Sequence, residues 1–415
     1  DLSQVRADRY PTTDIAWLSP ECTNHSLAKG QKRQSQQGLF GDDEAADRSR
    51  ATMWDVIRFA EYHKYRAIVV ENVVDARQWE LWPAWSMALT ALGYEYRLVS
   101  LNSMHATALG PGAPQSRDRL YVVAWRKGER APDLNKWTRP VAECAEHGMV
   151  QAVQAWKDPE KKVGKFRSQY IWRCPRVECR NAEVHPQVRP AADAIDWSLP
   201  AARIGDRPKP LAPKTMKRIE DGLATYGRPV MVPMEGREGK VAAPASQPMR
   251  TCTTRNENAV AIPAAGAFIT ELRGGGSKHR PVSDPLSTVC AGGNHHGLTI
   301  PDMIAPYYGK TRPRPAGDPL STVTTVERHA VIPSGVVAGV EDVRFRMLTS
   351  AEYQAAMAFP SEYVILGGSS RVRVRMLGNA VTPPSARDLV AAVAEALTGE
   401  TIDRPTHAGA VGAAA

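Results

Sequence analysis

Arg66-Ala-Ile-Val-Val70 runs directly into Glu71-Asn72-Val73, and this junction decides the fold class. A run dominated by β-branched residues reads as a buried strand. A carboxylate at its end emerges where open α/β sheets gather their reactive groups. The pattern recurs on both sides. Asp14–Leu18 (DIAWL), Tyr96–Val99 and Leu120–Trp125 (LYVVAW) are candidate strands, and Ala51–Lys64 and Trp79–Leu92 carry apolar residues at helical spacing. Strand–helix alternation of this kind predicts an α/β layer with a mainly parallel sheet. Helical texture returns late in the chain, as an amphipathic stretch at Leu348–Phe359 and as Pro384–Leu397, opened by proline.

The chain has 415 residues, more than one compact domain. With 43% hydrophobic and 23% charged residues it can bury large cores, which excludes global disorder. No apolar run reaches the roughly 18 residues that span a bilayer. The opening DLSQVRADRY has no basic-then-apolar leader pattern, and six dispersed cysteines make no disulfide framework. The expectation is a cytoplasmic protein. A formal charge of +9 suits a polyanionic partner, though only beside chemistry fit for one.

From Lys127 to Val340 proline and glycine punctuate short segments, with a helix expected only near Pro213–Gly222. This region repeats itself. Pro248-Met-Arg-Thr251 leads to Ile262-Pro263, Pro285-Leu-Ser-Thr288 to Ile300-Pro301, and Pro319-Leu-Ser-Thr322 to Ile332-Pro333. Two copies follow basic loops that hold Arg273, Lys278 and Arg280, and Lys310, Arg312 and Arg314. Two readings stand level. The copies are duplicated hairpins with solvated charges, or they face nucleic acid, with those cations on phosphates and Tyr307 or Tyr308 stacking.

Four clusters carry chemistry. Ser19-Pro-Glu-Cys-Thr-Asn-His-Ser26 puts Cys22 in a polar loop directly after a strand, which suits a nucleophile as well as an inert thiol. Glu71 either donates a hydrogen bond from a desolvated cleft or is an ordinary solvated carboxylate. In Gly112-Ala-Pro-Gln-Ser-Arg-Asp-Arg119, alternation places Gln115, Arg117 and Arg119 on one face of an extended chain, suited to a phosphate or a base edge, or to salt bridges. Gly378-Asn-Ala-Val381 reads as a turn before the last helix. Cys174-x-x-x-x-Cys179 could be half a zinc knuckle with Cys144-x-x-His147 the other half, but the spacing is irregular and the second pair lies far upstream, so free cysteines and no metal are the expectation.

Taken in order, these clusters strongly resemble the DNA (cytosine-5)-methyltransferases. That family's nucleophile loop Pro-Pro-Cys-Gln-x-Phe-Ser corresponds to Pro20–Ser26, and its Glu-Asn-Val stands unchanged at 71–73. Its Gly-Val-Pro-Gln-x-Arg-x-Arg corresponds to Gly112–Arg119 with one conservative change. Its Arg-x-Leu-Thr-x-x-Glu and Phe-Pro correspond to Arg346–Glu352 and Phe359-Pro360, and its Gly-Asn-Ala-Val is intact at 378–381. Glu21, Thr23 and His25 depart from the nucleophile loop. The family's Phe-x-Gly-x-Gly loop and ribose-binding acid have no counterpart, so the resemblance implies that the chain begins about one β-α-β unit late and binds cofactor poorly by itself.

The resemblance implies a Rossmann-like α/β catalytic domain that uses S-adenosyl-L-methionine, at 1–130 and 341–400. Between them, 131–340 would form a Pro/Gly-rich, largely β target-recognition domain, and 401–415 a disordered tail. It assigns catalysis to Cys22, Glu71, Arg117 and Arg119, with Arg119 on the base and Arg117 buttressing the cysteine loop. Asp1, Pro20, Asn379 and Val381 would contact cofactor, and Ser26 and Gln115 would contact DNA. The partner is double-stranded DNA with the target cytosine flipped out. A cognate restriction endonuclease is an optional companion, and the chain is expected to be monomeric. Alternatives are a non-catalytic DNA-binding relative and an enzyme adding a different group at C5.

Overall fold

The computed structural model describes residues 4–21, 44–189 and 349–405. Between 190 and 348 it describes 191–194, 196, 198–199, 202–210, 213, 230–233, 243–244, 258–261, 268–271, 279–281, 284–287, 296–300, 303–306, 314–315, 329–332 and 344–347. Four strands form the central sheet. Ile15–Leu18 (β1) and Ala67–Asn72 (β2) pair in parallel, with Leu18 opposite Val70, so both strands end at one edge. Tyr94–Asn102 (β3) closes the other side. The two-residue strand Gln115–Ser116 (β4) precedes Asp118–Arg126 (β5), which runs antiparallel to both β2 and β3, giving the order β1-β2-β5-β3.

The mainly parallel sheet expected from the sequence is therefore corrected. LYVVAW runs backward between its neighbours. A parallel return needs a crossover, usually a helix, and the chain between β3 and β5 holds only a short 3-10 turn at Ser103–His105 and the two-residue β4.

Helices cover both faces of the sheet, which is why β2 is apolar without alternation. Glu44–His63 (α1) and Trp82–Ala91 (α2) pack Met53, Phe59, Trp85 and Leu89 against Ile68 and Val70. On the opposite face, Leu134–Thr138 (α3) and the last helix pack Trp137, Leu389 and Val393 against Ala67 and Val69. Ser350–Ala356 (α4) opens with a capping box between Thr349 and Glu352. Ser370–Asn379 (α5) was not expected; it is capped by Ser369 and buries Val374 and Leu377 against Tyr353 and Met357. Pro383–Thr398 (α6) starts on two prolines and stops at Gly399, whose φ of 76° suits glycine. Among the described residues no helix is long and apolar enough to cross a membrane.

Two hairpins form a satellite with its own core: Val141–Cys144 (β6) with Gly148–Gln151 (β7), and Val153–Trp156 (β8) with Tyr170–Arg173 (β9). The satellite docks on β3. Gln154 Nε2 donates to the Ser100 carbonyl at 2.8 Å, and the Gly164 amide donates to Ser100 Oγ at 3.1 Å.

The repeats take a defined shape. In each copy a central strand (230–233, 268–271 or 303–306) pairs antiparallel with a short second strand (243–244, 279–281 or 314–315) and with a third (258–261, 296–300 or 329–332). The repeating proline motif lies between the second and third strands. In the middle copy Leu286–Ser287 pairs in parallel with β4. The helix expected near 213–222 lies almost wholly outside the described residues.

His105 sits at the satellite junction. Its Nδ1 accepts from Trp172 Nε1 at 3.0 Å, and burial pushes its pKa from 6.5 down to about 3. The native ring stays neutral while the unfolded ring takes a proton below about 6.5, so its stabilising contribution is present above that pH and is lost on acidification. Between pH 6.5 and 3 the slope from this residue is about 1.4 kcal/mol per pH unit. Urea unfolding at pH 7.5 and 5.0 should show it, and His105→Gln should flatten it; an unchanged slope in the variant would exclude His105 as the source.

Candidate active site

The parallel β1–β2 pair sets the site. Because Leu18 pairs with Val70, the loop after β1 lies beside Glu71 and Asn72, the last residues of β2. Asn72 fastens them. Its Nδ2 reaches the Pro20 carbonyl at 3.4 Å, and its Oδ1 accepts from the Val73 amide at 2.8 Å. One residue on, the Glu21 amide donates to Thr52 Oγ1 of α1 at 3.0 Å. Glu21 is exposed, so water screens its charge. Cys22 and Ser26, as well as Asp1, lie outside the described residues.

Glu71 is buried at the end of β2, and Arg119 Nε meets its Oε1 at 2.9 Å. Arg119 Nη1 also donates to the Asp118 carbonyl at 2.8 Å. The register explains the meeting: Glu71 lies opposite Tyr121 on β5, two residues beyond Arg119. The charge-assisted contact prearranges a carboxylate and a guanidinium side by side.

The one-face expectation for Gln115, Arg117 and Arg119 is corrected. β4 and β5 are separate strands, and Arg117 is the break between them. Gln115 is buried, with Nε2 3.2 Å from Met357 Sδ and 3.5 Å from the Ala356 carbonyl. Arg117 is buried and donates through Nη2 to the carbonyls of Gly378 at 3.0 Å and Ala380 at 2.9 Å. Its guanidinium thus holds the Gly378–Val381 turn, whose first residues close α5. Within this turn Asn379 is exposed and Val381 is half-buried. Gly112 of the same motif admits no side chain, because a Cβ would lie 2.4 Å from the Met104 carbonyl oxygen.

Sequence reasoning gave no role to Asn72 or to the Arg387–Asp388 pair. Asp388 is fully buried and accepts from the amides of Ala108 at 2.8 Å and Leu109 at 3.2 Å. Desolvation raises its pKa. Arg387 Nη2 donates to the carbonyls of Ala106 and Gly110, both at 3.1 Å. An acid on the apolar side of the α6 pattern was the available signal. Of the other DNA-facing candidates, Arg280 is half-buried, with Nη1 donating to the Pro285 carbonyl of its own loop at 2.7 Å. Arg314 lies on a short strand, its side chain not described; Arg273, Lys278, Lys310 and Arg312 lie outside the described residues. A cleft of about 370 Å³ lies between the 3-10 turn after β2 and the β8–β9 hairpin, with Val74, Asp75, Lys157, Lys161 and Lys165 on its walls.

Residues 1–174 match the family model of C-5 cytosine-specific DNA methylase. No curated protein matches the chain. Among solved structures the chain is similar to the S. pombe Dnmt2 methyltransferase, at 12% identity over 95% of this chain and 82% of that one, with a TM-score of 0.42. It is also similar to a mutant of Spodoptera frugiperda DNMT2, at 12% identity over 95% and 84%, with a TM-score of 0.45. A third is a putative DNA modification methyltransferase encoded within a prophage (E. coli), at 11% identity over 96% and 85%, with a TM-score of 0.40. The family match spans all four strands of the central sheet together with Cys22, Glu71 and Arg119.

Proposed function

We propose that this chain, whose residues 1–174 match the family model of C-5 cytosine-specific DNA methylase, methylates C5 of a flipped cytosine in duplex DNA through a covalent adduct on Cys22. The observation that carries this reading is the Glu71–Arg119 pair, 2.9 Å apart at the strand end where the Cys22 loop begins.

C5 of cytosine is a weak nucleophile. Addition of the Cys22 thiolate to C6 pushes electrons into the ring, while Glu71 hydrogen-bonds N3 and Arg119 holds O2. Arg119 already touches Glu71, so one bound base can engage both side chains. The enamine so formed makes C5 the nucleophile; once C5 is substituted, its proton leaves to solvent and expulsion of Cys22 as thiolate restores the ring. The cytosine must leave the stack for any of this to happen.

S-adenosylmethionine supplies an electrophilic methyl group when bound. Pro20, held by Asn72, and the Asn379–Val381 turn, held by Arg117, would contact it, with Asp1 beyond the described residues. An exposed carboxamide beside half-buried apolar side chains fits such a group in kind.

The test is transfer of labelled methyl from S-adenosylmethionine to duplex DNA, with mass analysis of the bases and RNA as a parallel substrate. The expected product is 5-methylcytosine in DNA, with Glu71→Gln slowing transfer by roughly 10²–10⁴-fold. Label on RNA alone, a different adduct at C5, or an active Glu71→Gln variant would overturn the reading.

A further inference from the structure

The sequence spacing of Cys144, His147, Cys174 and Cys179 favours free thiols, and the fold overrides that spacing. One ligand atom from each of the four lies within 4.8 Å of all the others. The sulfurs of Cys144 and Cys174 stand 3.5 and 3.7 Å from the same atom, His147 Nδ1. A tetrahedral ion with Zn–S near 2.3 Å and Zn–N near 2.0–2.1 Å sets its sulfur and nitrogen ligands about 3.5–3.6 Å apart. The cluster already has that size.

Its surroundings are built to hold it. All three cysteines are buried. The amides of Glu146 and His147 are aimed at the Cys144 sulfur, and that of Arg176 at the Cys174 sulfur. After Cys179 the chain turns through left-handed conformations at Arg180 (φ 53°) and Asn181 (φ 50°), which are costly for residues with a side chain. Asn181 Nδ2 pins this turn to the carbonyls of Cys174 at 3.0 Å and Arg176 at 3.1 Å. Three of the eight residues in the satellite's buried core are these cysteines. Two-stranded hairpins with so little apolar core need a staple.

We propose that Cys144, His147, Cys174 and Cys179 bind one structural Zn²⁺ ion, which ties the β6–β7 turn to the loop after β9. Three thiolates and one imidazole select zinc among the abundant divalent cations. All four positions come from the protein, so none remains for a substrate or an activated water. His147 Nε2 lies 3.9 Å from Glu178 Oε2, a carboxylate placed to orient the ring from behind. On binding, three metal–sulfur bonds and one metal–nitrogen bond form, and any thiol protons leave to the buffer.

Elemental analysis of the full chain, purified under reducing conditions, tests this. About one zinc per chain is expected, falling below about a tenth in Cys144→Ser and Cys174→Ser. Cys252→Ser and Cys290→Ser, elsewhere in the sequence, should keep it. His147→Cys should also keep it, since a fourth thiolate fills the same position. Cobalt in place of zinc should give the intense absorption of a tetrahedral thiolate site in the wild type and in His147→Cys. Folded wild-type protein that takes up no zinc on reconstitution would overturn the proposal. So would zinc retained in full by Cys174→Ser, or lost equally from Cys252→Ser.

Discussion

Cys22→Ser should abolish methyl transfer, by at least about three orders of magnitude, while leaving DNA binding nearly intact. A serine hydroxyl at neutral pH is not ionised and attacks C6 far more slowly than a thiolate. The rest of the site would persist, because Asn72 holds Pro20 and Arg119 holds Glu71 directly. DNA carrying 5-fluorocytosine blocks loss of the C5 substituent and should trap the wild-type protein as a covalent complex stable to denaturation. The variant should give none. If the wild type forms no adduct, or Cys22→Ser forms it equally well, the nucleophile has been wrongly assigned.

The second large effect is on stability. Arg117→Leu should cost about 2–4 kcal/mol, because it leaves the carbonyls of buried Gly378 and half-buried Ala380 without their charged donor. A lower urea midpoint with unchanged slope would report it. Transfer should fall as well, since Asn379 and Val381 lie on the released turn, and the loss should appear chiefly as a higher KM for the cofactor. Arg117→Lys should be intermediate, for an ammonium cannot reproduce the geometry of a planar guanidinium. A midpoint within experimental error of wild type would show that the clamp is dispensable.

Much of the fold was legible because burial on two faces leaves an unambiguous mark. Ala67–Val70 is apolar at every position, and the α1 and α2 patterns face it. The direction of β5 was not legible, since side-chain alternation is the same whichever way a strand runs. α5 was hidden by its Val-Arg-Val-Arg alternation, and only the Ser369 cap with Val374 and Leu377 marks it as helix. At the site, Glu71 and Arg119 could be named from motifs, but their contact depends on a register between strands nearly fifty residues apart in sequence. Arg117 shows the opposite limit. Its alternation with Arg119 suggested a shared ligand, yet a two-residue strand ending at Ser116 sends it to Gly378. The cysteine cluster was legible only as two candidate pairs, as spacing cannot reveal which hairpin turns meet.

The Arg117–Gly378 bond joins residues 261 positions apart, and the Asp388–Ala108 bond joins residues 280 apart. Contacts of such sequence separation come late in folding, after a large loop-closure entropy has been met. On a ribosome adding about 5–20 residues per second, roughly 13–50 s separate synthesis of Arg117 from that of Gly378. Throughout that interval Ala67, Val69 and Val123 would lack Leu389 and Val393. The nascent protein therefore carries a partly uncovered apolar sheet face, shielded by Leu134 and Trp137 of α3, until its last helix emerges. A ribosome stalled before residue 383 would offer that face to chaperones.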